Sequence, residues 1–539
     1  MTQLKKNRLL LVRSVSSIQT FDYIWYEGIK EYRKSSLKEH PEMEQYFPKD
    51  IMKHASSWPG RPRIFSRYDE TNISGEFLAI NLDTPTTVIG ENITPKKIVE
   101  ELKKGIDEGF PYTHVGFSVF IIKYSDFVRC AKAIKKFDEK VLIIAGNVGA
   151  LFDETEKHAD LVCKEDGVPY LRNLFNEDVN KPYKSKLIPA ESEFGALGLK
   201  IKSRSSLLVT KLGCSLNCDF CITAKIFGGK TVPAFLTPKQ VREMVVEYQK
   251  KYKTKNFNII LCEPSGIISN EWWYELFEMF EGEDGDISIL TPATLLSLKK
   301  FDFKRTHNSA MRFSVFNVGI ESFSHEYSKN RGHAETREII KKLTDNGIIS
   351  YGTFIIGFDH HTPENIREEV KKLTKLDLTS CTIINLKPLP LTPIWNKLKE
   401  EKRLLDLPIQ YYYTEAFQSY KHPYFRPGFV DMLPVYFEAN KYFEKECGYL
   451  FLNLIELYKN LAKTKSQPKF LTSMNTMKTI SKLLFPSWKK GLHPTPEQET
   501  KYIEKLGEIP KIPASMKLLA KSDLFGKIVS PFIRSETVY

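Results

Sequence analysis

Three of the eight cysteines lie within eight residues, in the run Gly213-Cys214-Ser215-Leu216-Asn217-Cys218-Asp219-Phe220-Cys221. Clustered thiolates are metal ligands, and three of them can hold three irons of a [4Fe–4S] cube while the fourth iron stays open. An open position is what separates a catalytic metal centre from a structural one. Zinc is the competing occupant. A structural zinc needs a fourth ligand close by, usually a second Cys-x-x-Cys or a His pair. The nearest histidines in the chain, His158 and His307, belong to no pair at that spacing. The trio therefore favours a redox cluster over zinc. The other cysteines (Cys130, Cys163, Cys262, Cys381 and Cys447) are scattered through apolar contexts. They read as free buried thiols, which suits a reducing cytosol.

The elements that would position this loop are strands alternating with helices. In the first half, Leu9 to Val12, Glu76 to Leu82, Thr113 to Phe120, Val141 to Gly146 and Asp160 to Cys163 read as strands. Between them, Thr94-Pro95 opens a helix to about Glu108, with Thr as cap and Pro at its first position. A second helix runs from Ser125 to Phe137. Continuous apolar runs such as Val141-Leu142-Ile143-Ile144-Ala145 are what parallel strands buried on both faces require. The alternation predicts a doubly wound parallel sheet, which binds ligands beyond the carboxyl ends of its strands. Residues 18–75 form an aromatic-rich insertion.

A second series begins near residue 203. Ser206 to Thr210 is its first strand, and the cysteine loop follows the carboxyl end of that strand, the face on which β/α barrels carry their chemistry. Thr237-Pro238 caps a helix to about Lys250. Further strands are expected at Asn256 to Leu261, Ile287 to Ile289, Arg312 to Gly319, Gly352 to Gly357 and Thr382 to Leu386.

The Cys-x3-Cys-x2-Cys spacing, with Phe220 before the last cysteine, resembles the signature of the radical S-adenosylmethionine (radical SAM) enzymes. Behind it, Val318-Gly319-Ile320-Glu321-Ser322 resembles that family's Gly-x-Glu-Ser after the fourth strand, and Lys329-Asn330-Arg331-Gly332 follows. Gly352 to Gly357 matches its glycine-flanked fifth strand. Cys262-Glu263-Pro264-Ser265 stands where many members have Gly-Gly-Glu. Pro388-Leu389-Pro390-Leu391-Thr392-Pro393 resembles a Pro-x-Pro-Gly-Thr-Pro turn, with Leu391 in place of Gly. The resemblance implies a [4Fe–4S] cluster on Cys214, Cys218 and Cys221. It also implies S-adenosylmethionine contacts from Phe220, Glu263, Ser265, Glu321, Ser322, Arg331 and Gly357. Each landmark taken singly also reads as a capped turn or a closely packed glycine.

The first half is similar to the cobalamin-binding domain that precedes the radical core in many such enzymes. Ser118, then Gly146, Asn147 and Gly149, then Glu165 and Gly167 fall in the strand-end loops that line the corrinoid groove in that family. Cobalamin is thus implied, although no Asp-x-His-x-x-Gly run supplies a lower cobalt ligand. The alternative is a degenerate Rossmann-like domain that binds nothing, or another nucleotide.

The expected architecture is α/β. A Rossmann-like cobalamin-binding domain spans 1–195, a partial (β/α)6 radical SAM core 196–400, and a mainly helical region 401–539. The resemblance covers about residues 76 to 400. It implies cleavage of S-adenosylmethionine to a 5′-deoxyadenosyl radical for C–H functionalisation, foremost cobalamin-dependent C-methylation, with ring formation or skeletal rearrangement by the same cofactors as the alternative. The non-enzymatic alternative is a cobalamin or redox sensor. A methylthiotransferase acting on RNA would need a further cysteine trio upstream of Cys214, where only Cys130 and Cys163 stand.

The formal net charge of +13 favours an acidic partner, a phosphate-bearing substrate or an anionic membrane face. Residues 459–490 hold eight Lys and no acidic residue, with Leu471, Met474, Met477, Ile480 and Leu484 at helical spacing. They read as a helix packed on the barrel or as a peripheral membrane contact. An apolar or lipid substrate and an electron donor such as flavodoxin or ferredoxin are the expected partners. The lack of a stacking-aromatic or RNA-binding pattern argues against nucleic acid. No run reaches the roughly 18 apolar residues of a bilayer span, and the N-terminus is unlike a signal peptide, so a cytoplasmic protein is expected.

Overall fold

The computed structural model describes residues 7–13, 33–34, 36–47, 65–68, 73–90, 93–196, 199–267, 269–324 and 332–446. In chain order its strands are β1 (Leu9–Val12), β2 (Phe65–Tyr68), β3 (Thr86–Ile89), β4 (His114–Ser118), β5 (Leu142–Gly146), β6 (Leu161–Val162), β7 (Ile188–Ala196) and β8 (Leu199–Leu208). They continue with β9 (Leu212–Gly213), β10 (Thr231–Val232), β11 (Asn256–Leu261), β12 (Asp286–Ala293), β13 (Met311–Glu321), β14 (Ile349–Ile356) and β15 (Ser380–Asn385).

The first sheet is parallel, in the order β3-β1-β4-β5-β6. β1 is apolar at every position and buried throughout, because helices cover both faces. Leu10 and Val12 pack with Ile98, Leu102, Phe127 and Ile134 of the helices Pro95–Asp107 and Tyr124–Phe137. Leu9 and Leu11 face the opposite layer, with Leu171 of the helix Gly167–Leu174 and Leu78.

One expected strand is corrected. Glu76 to Leu82 lies within and just beyond the helix Ser74–Ile80, and the edge position belongs to β3. Phe77 packs with Val168 and Val209, while Leu78 also meets the layer around Leu9. Adjacent apolar side chains on one short helix thus serve two neighbours, and an apolar run of that length has no period to distinguish it from a strand.

The second sheet has the order β15-β14-β13-β12-β11-β8-β7-β2. The six strands from β8 to β15 in that order are parallel, as expected for a partial barrel. β7 and β2 extend it antiparallel at the β8 edge. β7 therefore belongs to the barrel sheet, and the change of sheet falls before Ile188 rather than at residue 195. β2 comes from the 18–75 segment, so that insertion contributes an edge strand to the barrel.

Helix starts are set by a repeated Thr-Pro pair. Thr94, Thr237, Thr362 and Thr392 each accept a backbone N–H with their side chains while the following Pro takes the first turn. Thr237 with Gln240 and Thr362 with Asn365 complete reciprocal capping boxes.

The described part of the C-terminal region closes over β14 and β15. It ends in the helix Met432–Glu446 against the helix Pro363–Thr374. Tyr46, in the 3-10 turn Pro41–Tyr46, meets Phe417, and its carbonyl accepts the Phe429 N–H at 2.9 Å. The Lys-rich segment 459–490 lies outside the described residues. Among the described residues no helix is long and apolar enough to cross a membrane.

Candidate active site

The cysteine loop leaves the carboxyl end of β8 and turns at Gly213 and Asn217, which both take left-handed backbone conformations (φ 73° and 50°). Glycine is required at the first of these. A Cβ on Gly213 would lie 2.2 Å from the Lys230 carbonyl oxygen, because β9 pairs with β10 across the base of the loop. Cys214, Cys218 and Cys221 are half-buried and free of disulfides, and Cys221 N–H donates to the Cys218 carbonyl at 3.2 Å. They crowd one turn that leads into the helix Ile222–Ile226.

That turn is docked across the barrel mouth. Phe220 packs edge-on to Phe358 at 5.9 Å, among Ile355 of β14 and Leu386 and Tyr420 beyond β15. The Asp219 carbonyl accepts the Ile394 N–H at 3.2 Å, which ties the loop to the helix Pro393–Glu400. The first and last strands of the barrel are thereby clipped together at their carboxyl ends.

Glu263 follows β11 and is buried. Its carboxylate accepts the Thr210 N–H at 2.8 Å, the Thr210 hydroxyl at 2.8 Å and the Lys211 N–H at 3.3 Å. Burial raises its pKa, against the pull of these donors and of the Lys211 charge. Burial lowers the Lys211 pKa, with Glu263 and Cys214 opposing, and the Lys211 ammonium donates to the Ile267 carbonyl at 3.2 Å. Glu263 thus grips the two residues that lead into the cysteine loop. Ser265 is half-buried beside Gly266, whose N–H reaches the Pro292 carbonyl at 2.8 Å.

At the end of β13 the register shifts between Gly319 and Glu321, and Glu321 adopts φ 65°. A bulge with a left-handed non-glycine residue re-aims a side chain at a cost, as functional sites often do. Ser322 is buried and donates its hydroxyl to Glu369 at 2.8 Å. Gly357 follows β14 with φ 86°. A Cβ there would meet Met432 Cε at 3.2 Å. Arg331 lies outside the described residues.

The strand-end loops of the first sheet are adjacent because β4, β5 and β6 are neighbours. Asn147, at φ 71°, donates its side-chain amide to Ser118 Oγ at 2.9 Å and accepts the Val148 N–H at 2.7 Å. Gly149 sits against Val119, where a Cβ would be 2.7 Å from the carbonyl oxygen. A Cβ on Gly146 would make only ordinary contacts, with Cys163 Cβ and the Phe117 carbonyl oxygen at 3.9 Å. The Glu165 carbonyl accepts the Cys163 thiol at 3.3 Å, and Gly167 begins a helix capped by Asp166. Phe152, beyond these loops, packs on Trp395 and Tyr412, so the mouth of the first sheet adjoins the barrel.

Sequence reasoning missed the groups that hold this site in place. Thr210 and Lys211 precede the cysteines directly, and their proximity was the available signal. His361, Glu369 and Tyr420 gave none, because they lie on a loop, a helix and the C-terminal segment that only the fold brings together.

Residues 208–373 match the family described as the Radical SAM superfamily, so this stretch is a radical SAM domain. The curated hopanoid C-2 methylase of Rhodopseudomonas palustris (strain TIE-1) is 24% identical over 203 residues, 36% of this chain and 37% of the methylase. The match thus spans little more than a third of that relative. Among solved structures, the cobalamin-dependent S-adenosylmethionine radical enzyme OxsB, with aqua-cobalamin and S-adenosylmethionine bound, aligns with 98% of this chain and 79% of its own. Its TM-score is 0.51 at 14% identity. The radical SAM methyltransferase TsrM from Kitasatospora setae aligns with 73% of this chain and 76% of its own, at a TM-score of 0.49 and 13% identity. A Rossmann-like parallel sheet is thus followed by a radical SAM barrel in this chain, a fold shared with OxsB.

Proposed function

We propose that the chain is a cobalamin-dependent radical SAM methyltransferase acting on an unactivated carbon of an apolar, lipid-like substrate. The observation that carries the reading is the cysteine turn at the carboxyl end of β8, clipped by Phe220 and Asp219 to the far side of a six-stranded parallel barrel. The donor set fits a cluster: three half-buried thiols outside any disulfide on one turn, beside the buried Lys211. When bound, the cluster supplies the electron that cleaves S-adenosylmethionine to a 5′-deoxyadenosyl radical, and the corrinoid supplies a methyl carrier.

The chain's own residues bind and orient. Cys214, Cys218 and Cys221 would hold the cluster, and Glu263 stiffens its base. Glu321, Ser265 and Gly357, each at or just beyond the carboxyl end of a barrel strand, would contact S-adenosylmethionine. Gly146, Ser118 and Asn147, at the carboxyl ends of β4 and β5, would receive the corrinoid. Per methyl group, two S-adenosylmethionine molecules and two electrons are consumed. The products are S-adenosylhomocysteine, methionine and 5′-deoxyadenosine beside the methylated substrate. A flavodoxin or ferredoxin is the class of donor required. The partial likeness to a hopanoid methylase supports the lipid substrate.

The test is anaerobic reconstitution followed by metal and product analysis. The reading expects about four irons and bound cobalt per chain, 5′-deoxyadenosine on reduction, and labelled methyl from S-adenosylmethionine in a lipid fraction. Bound cluster and reductant without 5′-deoxyadenosine would favour the sensor. Iron without cobalt would remove the methylation.

A further inference from the structure

A buried cluster of polar groups, hydrogen-bonded at each end and in close contact between Glu369 and His361 at its centre, joins the carboxyl ends of β13 and β14, and none of the cysteine chemistry accounts for it. Glu369, on the helix Pro363–Thr374, accepts the Ser322 hydroxyl at 2.8 Å and the Phe323 N–H at 3.0 Å with one carboxylate oxygen. Its other oxygen lies 3.6 Å from Nε2 of both His360 and His361. His361 is fully buried, and its Nδ1 accepts the N–H groups of Gly357 at 2.9 Å and Phe358 at 3.1 Å. The carbonyl of Gly357 accepts the Tyr420 hydroxyl, and that of Phe358 accepts His422 Nε2–H at 2.8 Å.

Two histidines and a glutamate, with ligand atoms within 4.8 Å of one another, have the make-up of a cation site. The backbone excludes it. With Nδ1 of His361 taken by two N–H donors, the neutral ring must carry its proton on Nε2, so a hydrogen rather than a lone pair points toward Glu369. A metal on His361 Nε2 would demand an imidazolate anion. The same geometry leaves His361 Nε2–H 3.6 Å from the Glu369 carboxylate, a close polar contact rather than a formed hydrogen bond. Burial lowers the His361 pKa, with Glu369 opposing. Burial alone would raise the Glu369 pKa, but His360, His361 and the Phe323 N–H keep it well below the usual carboxylate range.

We propose that Glu369 and His361 are positioning residues for S-adenosylmethionine. Through Ser322 on one side and the Gly357 and Phe358 amides on the other, they fix the spacing of the two strand ends between which the cofactor lies. This rests on the reading of the site given above. The cluster is anchored by hydrogen bonds to the backbone at both strand ends, so it holds the two loop starts in one arrangement before any ligand arrives. Preorganisation of this kind lowers the cost of binding without touching the reacting atoms.

The experiment uses the full-length, anaerobically reconstituted protein and compares wild type with Glu369→Gln and His361→Gln. The second glutamine offers an oxygen to the same amides should the first variant fold poorly. Measured are iron content, the S-adenosylmethionine dissociation constant by equilibrium dialysis, and KM and kcat for 5′-deoxyadenosine formation. The proposal expects Glu369→Gln to raise KM and the dissociation constant roughly tenfold, the equivalent of one lost charge-assisted contact. Its kcat and iron content should stay within about twofold of wild type. His361→Gln should show the same split in smaller degree. Unchanged affinity in both variants would overturn the proposal, as would joint loss of iron, kcat and affinity in both, the mark of a scaffold. A wild-type protein with no affinity for S-adenosylmethionine would remove the proposed function as well. Affinity in wild type with unaffected variants removes only the bridge.

Discussion

Gly213→Ala is the sharpest perturbation of the cysteine loop that leaves every thiol in place. Two costs follow from the geometry. An L-residue at φ 73° costs about 1–2 kcal/mol. The new methyl would stand 2.2 Å from the Lys230 carbonyl oxygen and 3.0 Å from Phe227 Cβ, which forces a displacement worth about 1–3 kcal/mol in a packed setting. The sum, about 2–5 kcal/mol, exceeds what holds the β9–β10 ribbon. That ribbon has only two residue pairs, so a few hydrogen bonds at about 1 kcal/mol each hold it. The ribbon should therefore open locally before the barrel melts, moving Cys214 relative to Cys218 and Cys221. Iron per chain after reconstitution should fall by more than half, while Tm drops by only a few degrees. Gly229→Ala is the control. It shares the left-handed backbone (φ 71°) but its Cβ would meet nothing nearer than Asn217 Oδ1 at 3.9 Å, so iron should stay near the wild-type value. A Gly213→Ala protein that reconstitutes fully and forms 5′-deoxyadenosine at the wild-type rate would refute the reasoning.

Leu391→Gly should stabilise the protein by about 0.5–1 kcal/mol in chemical unfolding. Leu391 is exposed at φ 71°, and relief of about 1–2 kcal/mol of left-handed strain outweighs the entropy that glycine adds to the unfolded chain. His422 has its pKa pushed down to about 4 by burial, so its neutral form contributes stability that is present above about pH 6.5 and lost as pH falls toward 4. Wild type should lose on the order of 2 kcal/mol more than His422→Gln over that window, after allowance for the ring's partial exposure, and parallel Tm-against-pH curves would contradict this. Burial pushes the thiols of Cys130 and Cys163 up to about 11 and that of Cys262 up to about 12. In cluster-free protein at pH 8, iodoacetamide mapped by mass spectrometry should therefore mark Cys214, Cys218 and Cys221 well ahead of these three.

What the sequence disclosed, and what it hid, follows from where each interaction is encoded. The six parallel strands were legible because strands buried on both faces must be written as apolar runs, and the helix starts because Thr-Pro is a local device. The cysteine trio was legible for the same reason: its ligands are neighbours in the chain. β2 and β7 were not: β2 is an edge strand that pairs on one side only and arrives from a segment more than a hundred residues from its partner, and β7 pairs antiparallel with β8 and β2 outside the parallel series. The helix Ser74–Ile80 was mistaken for a strand because seven residues cannot display a period.

Leu391 shows the limit from the other side. The sequence marked it as a substitution at a glycine position, and the structure keeps the glycine conformation regardless, with Leu391 at φ 71°. The turn is held from outside: the Thr392 hydroxyl donates to the Leu389 carbonyl at 2.6 Å, and the following helix is tied by Ile394 to the cysteine loop. A backbone shape fixed by its neighbours survives the loss of the residue that favours it, and the cost is strain. The His361–Glu369 bridge has the same logic, with partners drawn from four separate segments whose meeting no local pattern announces. Residues that carry the chemistry sit together in the chain, whereas those that fix its geometry are assembled by the fold, so a substitution at Glu369 should move cofactor affinity from outside any recognisable motif.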